Sequence, residues 1–169
     1  MLTQWQDLPH PPSLPGLFAR AALRRGAHGK TLPNRGLGCT LQVDADNLAR
    51  YRQLCGFTDD GRLPPTYPHI LAFALQMKLL TADDFPFPLL GLVHLENRPL
   101  GGLGPFRVSV AVAGLAPHDK GATFSLITRL EDQLGLLWEG DSRILHRGVR
   151  VDGQLVERVE PAPLPLAEV

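Results

Sequence analysis

The chain has 169 residues, and its 17 Lys and Arg cancel its 17 Asp and Glu to a formal net charge of zero at pH 7. No electrostatic footprint for nucleic acid follows from that balance. With 44% apolar and 20% charged residues, the composition is that of an ordinary soluble globular protein, long enough for one domain with a real core and no staples.

Two cysteines, Cys39 and Cys55, are too few for a secreted disulfide framework and lack metal-ligand spacing, so both are read as free thiols. The N-terminus has no apolar run behind a basic start, and no stretch reaches the roughly 18 apolar residues a membrane span requires. A cytoplasmic protein without a membrane span is expected. Its partners should be proteins or small, mostly apolar molecules, not nucleic acid.

In chain order, residues 1–15 are rich in proline and predict an extended segment. Leu17 to Arg25 predicts a short helix closed by Gly26, its arginines on a solvated face. A strand is expected from Cys39 to Val43. Asp44 is then a good N-cap for a helix from Ala45 to Leu54, with Leu48, Tyr51 and Leu54 inward and Gly56 closing it. After the polar loop 58–62 comes Leu63-Pro64-Pro65-Thr66-Tyr67-Pro68-His69, which leads directly into an almost wholly apolar run ending at Leu80. Proline is favoured in the first helical turn, which predicts the main helix over Pro68 to Leu80.

Asp83-Asp84-Phe85-Pro86-Phe87-Pro88 breaks that pattern, and strands follow. They are expected at Leu89 to Asn97, Phe106 to Gly114, Ala122 to Asp132 and Gly135 to His146, with turns near Asp119-Lys120-Gly121 and Asp132-Gln133. A last hairpin is expected over Val149 to Val159 around Asp152-Gly153. Residues 161–169, with three prolines, read as a tail. A helix apolar on nearly every face must be covered all round, and a curved antiparallel sheet can do that. The pattern predicts an α+β chain with the hotdog architecture, a single domain over residues 16–160.

On the main helix, His69, Ala72, Phe73 and Gln76 fall on one face at spacings of three, four and seven. His69 and Gln76 are its only polar groups, and Ala72 leaves space between them. With Tyr67 or Thr66 as the cap, the first backbone N–H groups after Pro68 are expected to be free to polarise a carbonyl oxygen, with His69 as a base near neutral pH. A histidine that merely caps or packs at a helix start is the competing reading. His94 shares a strand face with Leu92 and Glu96, where hydrogen bonding within the sheet competes with a substrate contact. His10, His28, His118 and His146 show no metal-ligand pattern, and no metal or organic cofactor is implied. Cys55 is read as a buried structural cysteine in preference to a nucleophile paired with His69. Gly101-Gly102-Leu103-Gly104 lacks the strand-before, helix-after setting of a phosphate loop. Asp59 and Asp60 are weighed as carboxylates that could curl back to orient His69.

Three stretches resemble the MaoC-like acyl dehydratases: Tyr51 to Phe57, Leu63 to Phe73 and Phe85 to His94. They are most similar to the N-terminal half of double-hotdog (R)-3-hydroxyacyl-thioester dehydratases. The resemblance takes in the Leu17 to Arg25 helix with Leu32-Pro33 and the strand around Trp138-Glu139-Gly140-Asp141-Ser142, covering roughly residues 14 to 148. In the family signature an Asp stands five residues before a His, and the two together activate water. His69 takes the His position here, but Pro64 stands in place of the Asp and Thr66 in place of the Asn.

The resemblance implies a domain that binds an acyl thioester on coenzyme A or acyl carrier protein. It would be the acyl-accommodating half or subunit of an (R)-3-hydroxyacyl dehydratase or enoyl hydratase, in fatty acid metabolism. His69 is the one catalytic candidate, and Tyr67, Ala72, Phe73, Gln76, Met77 and His94 are the substrate-binding candidates. Phe73, Met77 and Leu80 are the residues expected to set tunnel depth. A homodimer, or a heterodimer with a catalytic hotdog subunit that supplies the Asp–His pair, is expected. The alternatives are an autonomous hydratase using His69 and a non-catalytic acyl-carrier-binding accessory protein.

Overall fold

Val108, Val110 and Val112 alternate with Arg107, Ser109 and Ala111, and a strand throws the two sets to opposite faces. That alternation organises the molecule. The computed structural model describes residues 3–27, 29–90, 92–96 and 106–154, with 93–96 described by their backbone. The elements are β1 (Gln4–Leu8), α1 (Leu14–Leu23), β2 (Arg35–Leu41), α2 (Ala45–Cys55), α3 (Tyr67–Leu80), β3 (Leu92–Glu96), β4 (Phe106–His118), β5 (Gly121–Asp132) and β6 (Gly135–Arg147). Six strands form one sheet in the order β1-β2-β4-β5-β6-β3. Every pairing is antiparallel except β1 with β2.

The three valines stand opposite Leu130, Thr128 and Leu126 of β5, and these six positions face α3 across the core. Helix α3 contributes Ala72, Leu75 and Leu79 to that core. The α+β helix-on-sheet layering expected from the pattern is therefore present, but α3 is not covered all round. Ile70 is 51% and Phe73 36% exposed, because the sheet covers one side of the helix and α1 reaches the other through Phe18, whose ring lies 6.2 Å from that of Phe73.

Several element edges differ from expectation for local reasons. The stretch 1–15 contains β1 and the start of α1, which has Ser13 as N-cap and a proline in its first turn. Strand β2 begins at Arg35, four residues early, because Gly36 and Gly38 let other side chains lie against the strand. A Cβ at Gly36 would meet the Trp5 ring, and one at Gly38 would meet Asp7 and Arg107. Helix α1 stops at Leu23, before Gly26. Its cap, Arg24, turns extended, and its guanidinium donates to the carbonyls of Ala82 (2.5 Å), Asp83 (3.4 Å) and Phe85. Arg20 pairs with Asp83, so two of the arginines expected on a solvated face anchor α1 to the segment after α3.

Helix α2 has the predicted ends, with Asp44 accepting from the Asn47 N–H at 3.0 Å and Gly56 closing it at φ 73°. Leu48 and Tyr51 pack on the core, whereas Leu54 is 88% exposed. Steps of three residues drift around a helix, so a third residue at that spacing has rotated off the face. The expected hairpin at 149–159 shows no strand over 149–154, and its remainder, like the tail 161–169, lies outside the described residues.

Candidate functional site

Two prolines stiffen the approach to α3, and Pro68 adds no N–H of its own. The helix start is closed locally: the Tyr67 N–H donates to Pro64 O at 2.9 Å and the His69 N–H to Thr66 O at 3.2 Å. Of the donors expected to face a substrate oxygen, the first after Pro68, the His69 N–H, is thus engaged by the chain itself. Thr66, the N-cap, makes no side-chain capping bond, and its hydroxyl instead meets the Tyr51 hydroxyl at 2.7 Å. Trp138 of β6 donates its indole N–H to Pro65 O at 3.3 Å, fixing the turn to the sheet.

His69 is half-buried at this end of α3, and Gln76, two turns on, is buried. The Gln76 amide nitrogen lies 3.3 Å from His69 Nδ1 and donates to Thr128 Oγ1 at 2.9 Å. A polar chain therefore runs from the helix start into the apolar core and ends on the middle strands of the sheet. Thr128 is the member that sequence reasoning missed. Its signal was present: Leu126, Thr128 and Leu130 form one alternating set, with a hydroxyl where apolar side chains are the rule.

The other candidates separate. Ala72 is fully buried against the sheet, while Phe73 lies at the surface beside Phe18. At about 100° per residue, the face from Ala72 to Phe73 is wide enough for one border to enter the core and the other to reach solvent, with Gln76 and His69 between. Met77 is buried on α3. Tyr67 is buried edge-on against Tyr51, ring centroids 5.1 Å apart. Burial raises its phenol above the ordinary value, with Asp44 and Tyr51 adding to the shift. His94 takes the register position opposite Ile144 in β6.

Neither loop carboxylate weighed as an orienting group is unengaged. Asp59 pairs with Arg52 at 2.5 Å and accepts from the Gly61 N–H, and Asp60 accepts from the Arg62 N–H at 3.0 Å. Cys55 is exposed at the end of α2, contrary to the buried role expected of it, because it follows the outward-turned Leu54 near the Gly56 cap. Cys39 is the buried thiol, pushed up from its ordinary value by desolvation and then by Asp7.

Phe85 and Phe87, expected in a helix break and within one of the stretches that carry the resemblance, are both fully buried and form an aromatic cluster with Phe124. His146 stacks on Phe87 at 5.0 Å, with its Nδ1 buried and unpartnered. Burial lowers the pKa of that imidazole, against a smaller opposing effect of the Arg147 backbone.

Two surface depressions are formed elsewhere. One of about 610 Å³ is bordered by Arg20 and Leu23 of α1, its cap Arg24 and Asp83, and one of about 150 Å³ lies by Trp5, Ser109, Ile127 and Arg129. Neither is lined by His69 or Gln76. Among the described residues, no group of three or more His, Cys, Asp or Glu side chains is placed to hold a metal ion, and no helix is long and apolar enough to cross a membrane.

No family model matches the chain. It is 32% identical over 122 residues to the 3-hydroxyacyl-thioester dehydratase X of Mycobacterium tuberculosis, a match that covers 69% of this chain and 44% of the relative. A crystal structure of HtdX from the same organism superposes with a TM-score of 0.60 at 30% identity, over 67% of this chain and 51% of that one. The MaoC-like dehydratase of Phytophthora capsici gives a TM-score of 0.53 at 20% identity, over 78% and 52% of the two chains, a likeness of fold. The chain spans about half the length of the relatives it matches.

Proposed function

We propose that this chain, which belongs to the MaoC-like hotdog dehydratase family, binds acyl thioesters as the acyl-accommodating half of an (R)-3-hydroxyacyl dehydratase or enoyl hydratase. The carrier is coenzyme A or acyl carrier protein. The observation that carries the reading is the make-up of the helix start. His69 stands at the mouth of an apolar helix, but Pro64 occupies the position five residues earlier, where the family signature places its acid.

The neighbouring carboxylates support the same reading. Asp59 is held by Arg52, and Asp60 by its own loop. In this proposal the water-activating Asp–His pair comes from another hotdog domain, as a partner subunit or as the other half of a longer assembly. The match to about half of each relative agrees with that division of labour. Tyr67, Ala72, Phe73, Met77 and His94 then bear on acyl accommodation, and His69 and Gln76 supply the polar contact. The assembly is a dimer with itself or with the catalytic subunit, and the compartment is the cytoplasm.

The test is turnover of crotonyl-type thioesters by the purified protein, alone and mixed with a signature-bearing hotdog subunit. Inactivity alone and activity on mixing are expected. Hydration by the protein alone, lost in His69→Ala, would instead establish an autonomous enzyme. Tight binding of acyl carrier protein with no turnover in either setting would make it an accessory binding module.

A further inference from the structure

We infer that Trp138 and Tyr51 are positioning residues for His69: from β6 and from α2 they hold the Pro65-Thr66 turn that sets where the imidazole stands. Their meaning for function rests on the acyl-binding reading, whereas the placement of His69 can be measured without it.

A single missing hydrogen is the reason. Backbone bonds around the turn step by three residues: Pro64 O receives the Tyr67 N–H at 2.9 Å, and Thr66 O receives the His69 N–H at 3.2 Å. At the same step Pro65 O would receive a bond from residue 68, and proline has no N–H to give. The middle bond of the series cannot form. Pro65 O accepts instead from the Trp138 indole at 3.3 Å. Pro68 disables the cap in the same way. An N-cap hydroxyl accepts from the second or third helical N–H. Here the second residue is Pro68, and the third, His69, donates to Thr66 O. The Thr66 hydroxyl accordingly lies 2.7 Å from that of Tyr51.

The start of α3 is thus tied to two elements distant in sequence, and both ties are themselves braced. The Trp138 side chain, 1% exposed, lies against the Gly140 backbone, where a Cβ would not fit. The Tyr51 ring packs on those of Phe57 and Tyr67, with centroids 6.2 and 5.1 Å apart. The Trp138 bond is the more shielded of the two, while water competes for the exposed hydroxyl pair. Trp138 therefore has the larger share. His69 stands in the first turn of the helix, so a displaced turn displaces the imidazole with it.

The test reads two quantities on the intact protein. The NMR signals of the His69 ring, identified among six histidines by their loss in His69→Gln, report its placement. Affinity for crotonyl-coenzyme A reports the consequence. Trp138→Phe keeps a ring and removes the N–H, so it should move the His69 signals and weaken binding about tenfold, the worth of one hydrogen bond. In a Pro68→Ala background residue 68 regains an N–H for Pro65 O, and the same substitution should then change little. The space left by the smaller ring is common to both backgrounds, so the difference between them belongs to the N–H. Equal effects in both backgrounds, or none in either, would overturn the inference.

Should Trp138→Phe fail to fold, the hydroxyl pair decides. Tyr51→Phe and Thr66→Val should each weaken binding about threefold and move the His69 signals alike. Together they should do no more than either alone, since they break one bond. Effects that sum, or signals that stay in place, overturn the inference. A wild-type protein that does not bind the thioester removes the proposed function, and the His69 signals still decide the positioning. Binding, with His69 signals indifferent to both residues, does the reverse.

Discussion

At position 140 the backbone lies under the Trp138 ring, and a Cβ there would come within 2.2 Å of it. Trp138 cannot move aside cheaply, since its indole N–H is tied to Pro65 O and its ring is 1% exposed. Gly140→Ala should therefore destabilise the protein by about 1–3 kcal/mol, the usual cost of overpacking, seen as a lower midpoint in urea with an unchanged slope. His146 makes a second prediction at this scale. Its folded pKa lies below the ordinary 6.5, so the unfolded chain takes up the proton first as pH falls. Stability is then whole above about pH 6.5 and declines below it, until the folded imidazole itself protonates. His146→Phe, which extends the aromatic cluster and cannot titrate, should flatten the dependence of Tm on pH across that interval.

Elements show where sequence reasoning succeeds and where it stops. The two ends of α2, the span of α3 within a residue at its start and the turn between β4 and β5 were legible, because each depends on side chains within a few positions of one another. Asp44→Ala should accordingly cost about 1 kcal/mol, the value of an N-cap, measurable by thermal melting. The end of α1 was not legible. It depends on Arg24 reaching carbonyls some 60 residues away in sequence, between Ala82 and Phe85. Replacing Arg24 with Met should leave the sheet intact while raising hydrogen exchange selectively in α1. Similarly, the early start of β2 depends on Trp5 and Asp7, which lie across a strand pairing that no local pattern announces. In the site, His69 and Gln76 were recognisable from helix periodicity alone, whereas Thr128 required the register that sets it opposite Val110. The carboxylates of the 58–62 loop were weighed from proximity in sequence, which gives no information on direction.

In the whole molecule, a helix greasy on nearly every side rests on a sheet of valine, leucine and phenylalanine. Dispersion and the hydrophobic effect hold such surfaces together without directional preference, so they leave the helix free to settle at neighbouring rotations of similar energy. Besides the Trp138–Pro65 bond at the helix start, the Gln76–Thr128 hydrogen bond is a directional contact in that interface, and it works as an indexing pin. Any other setting of α3 would strand a buried amide. The pin adds little net stability: Gln76→Leu combined with Thr128→Val should melt close to the wild type, while either change alone costs about 1–3 kcal/mol. What the double variant should lose is uniqueness, visible as multiple or broadened methyl resonances from Ala72 and Met77. The azimuth of the central helix, and with it the direction in which His69 faces, would then be held only from its N-terminal end, through Trp138 and Pro65.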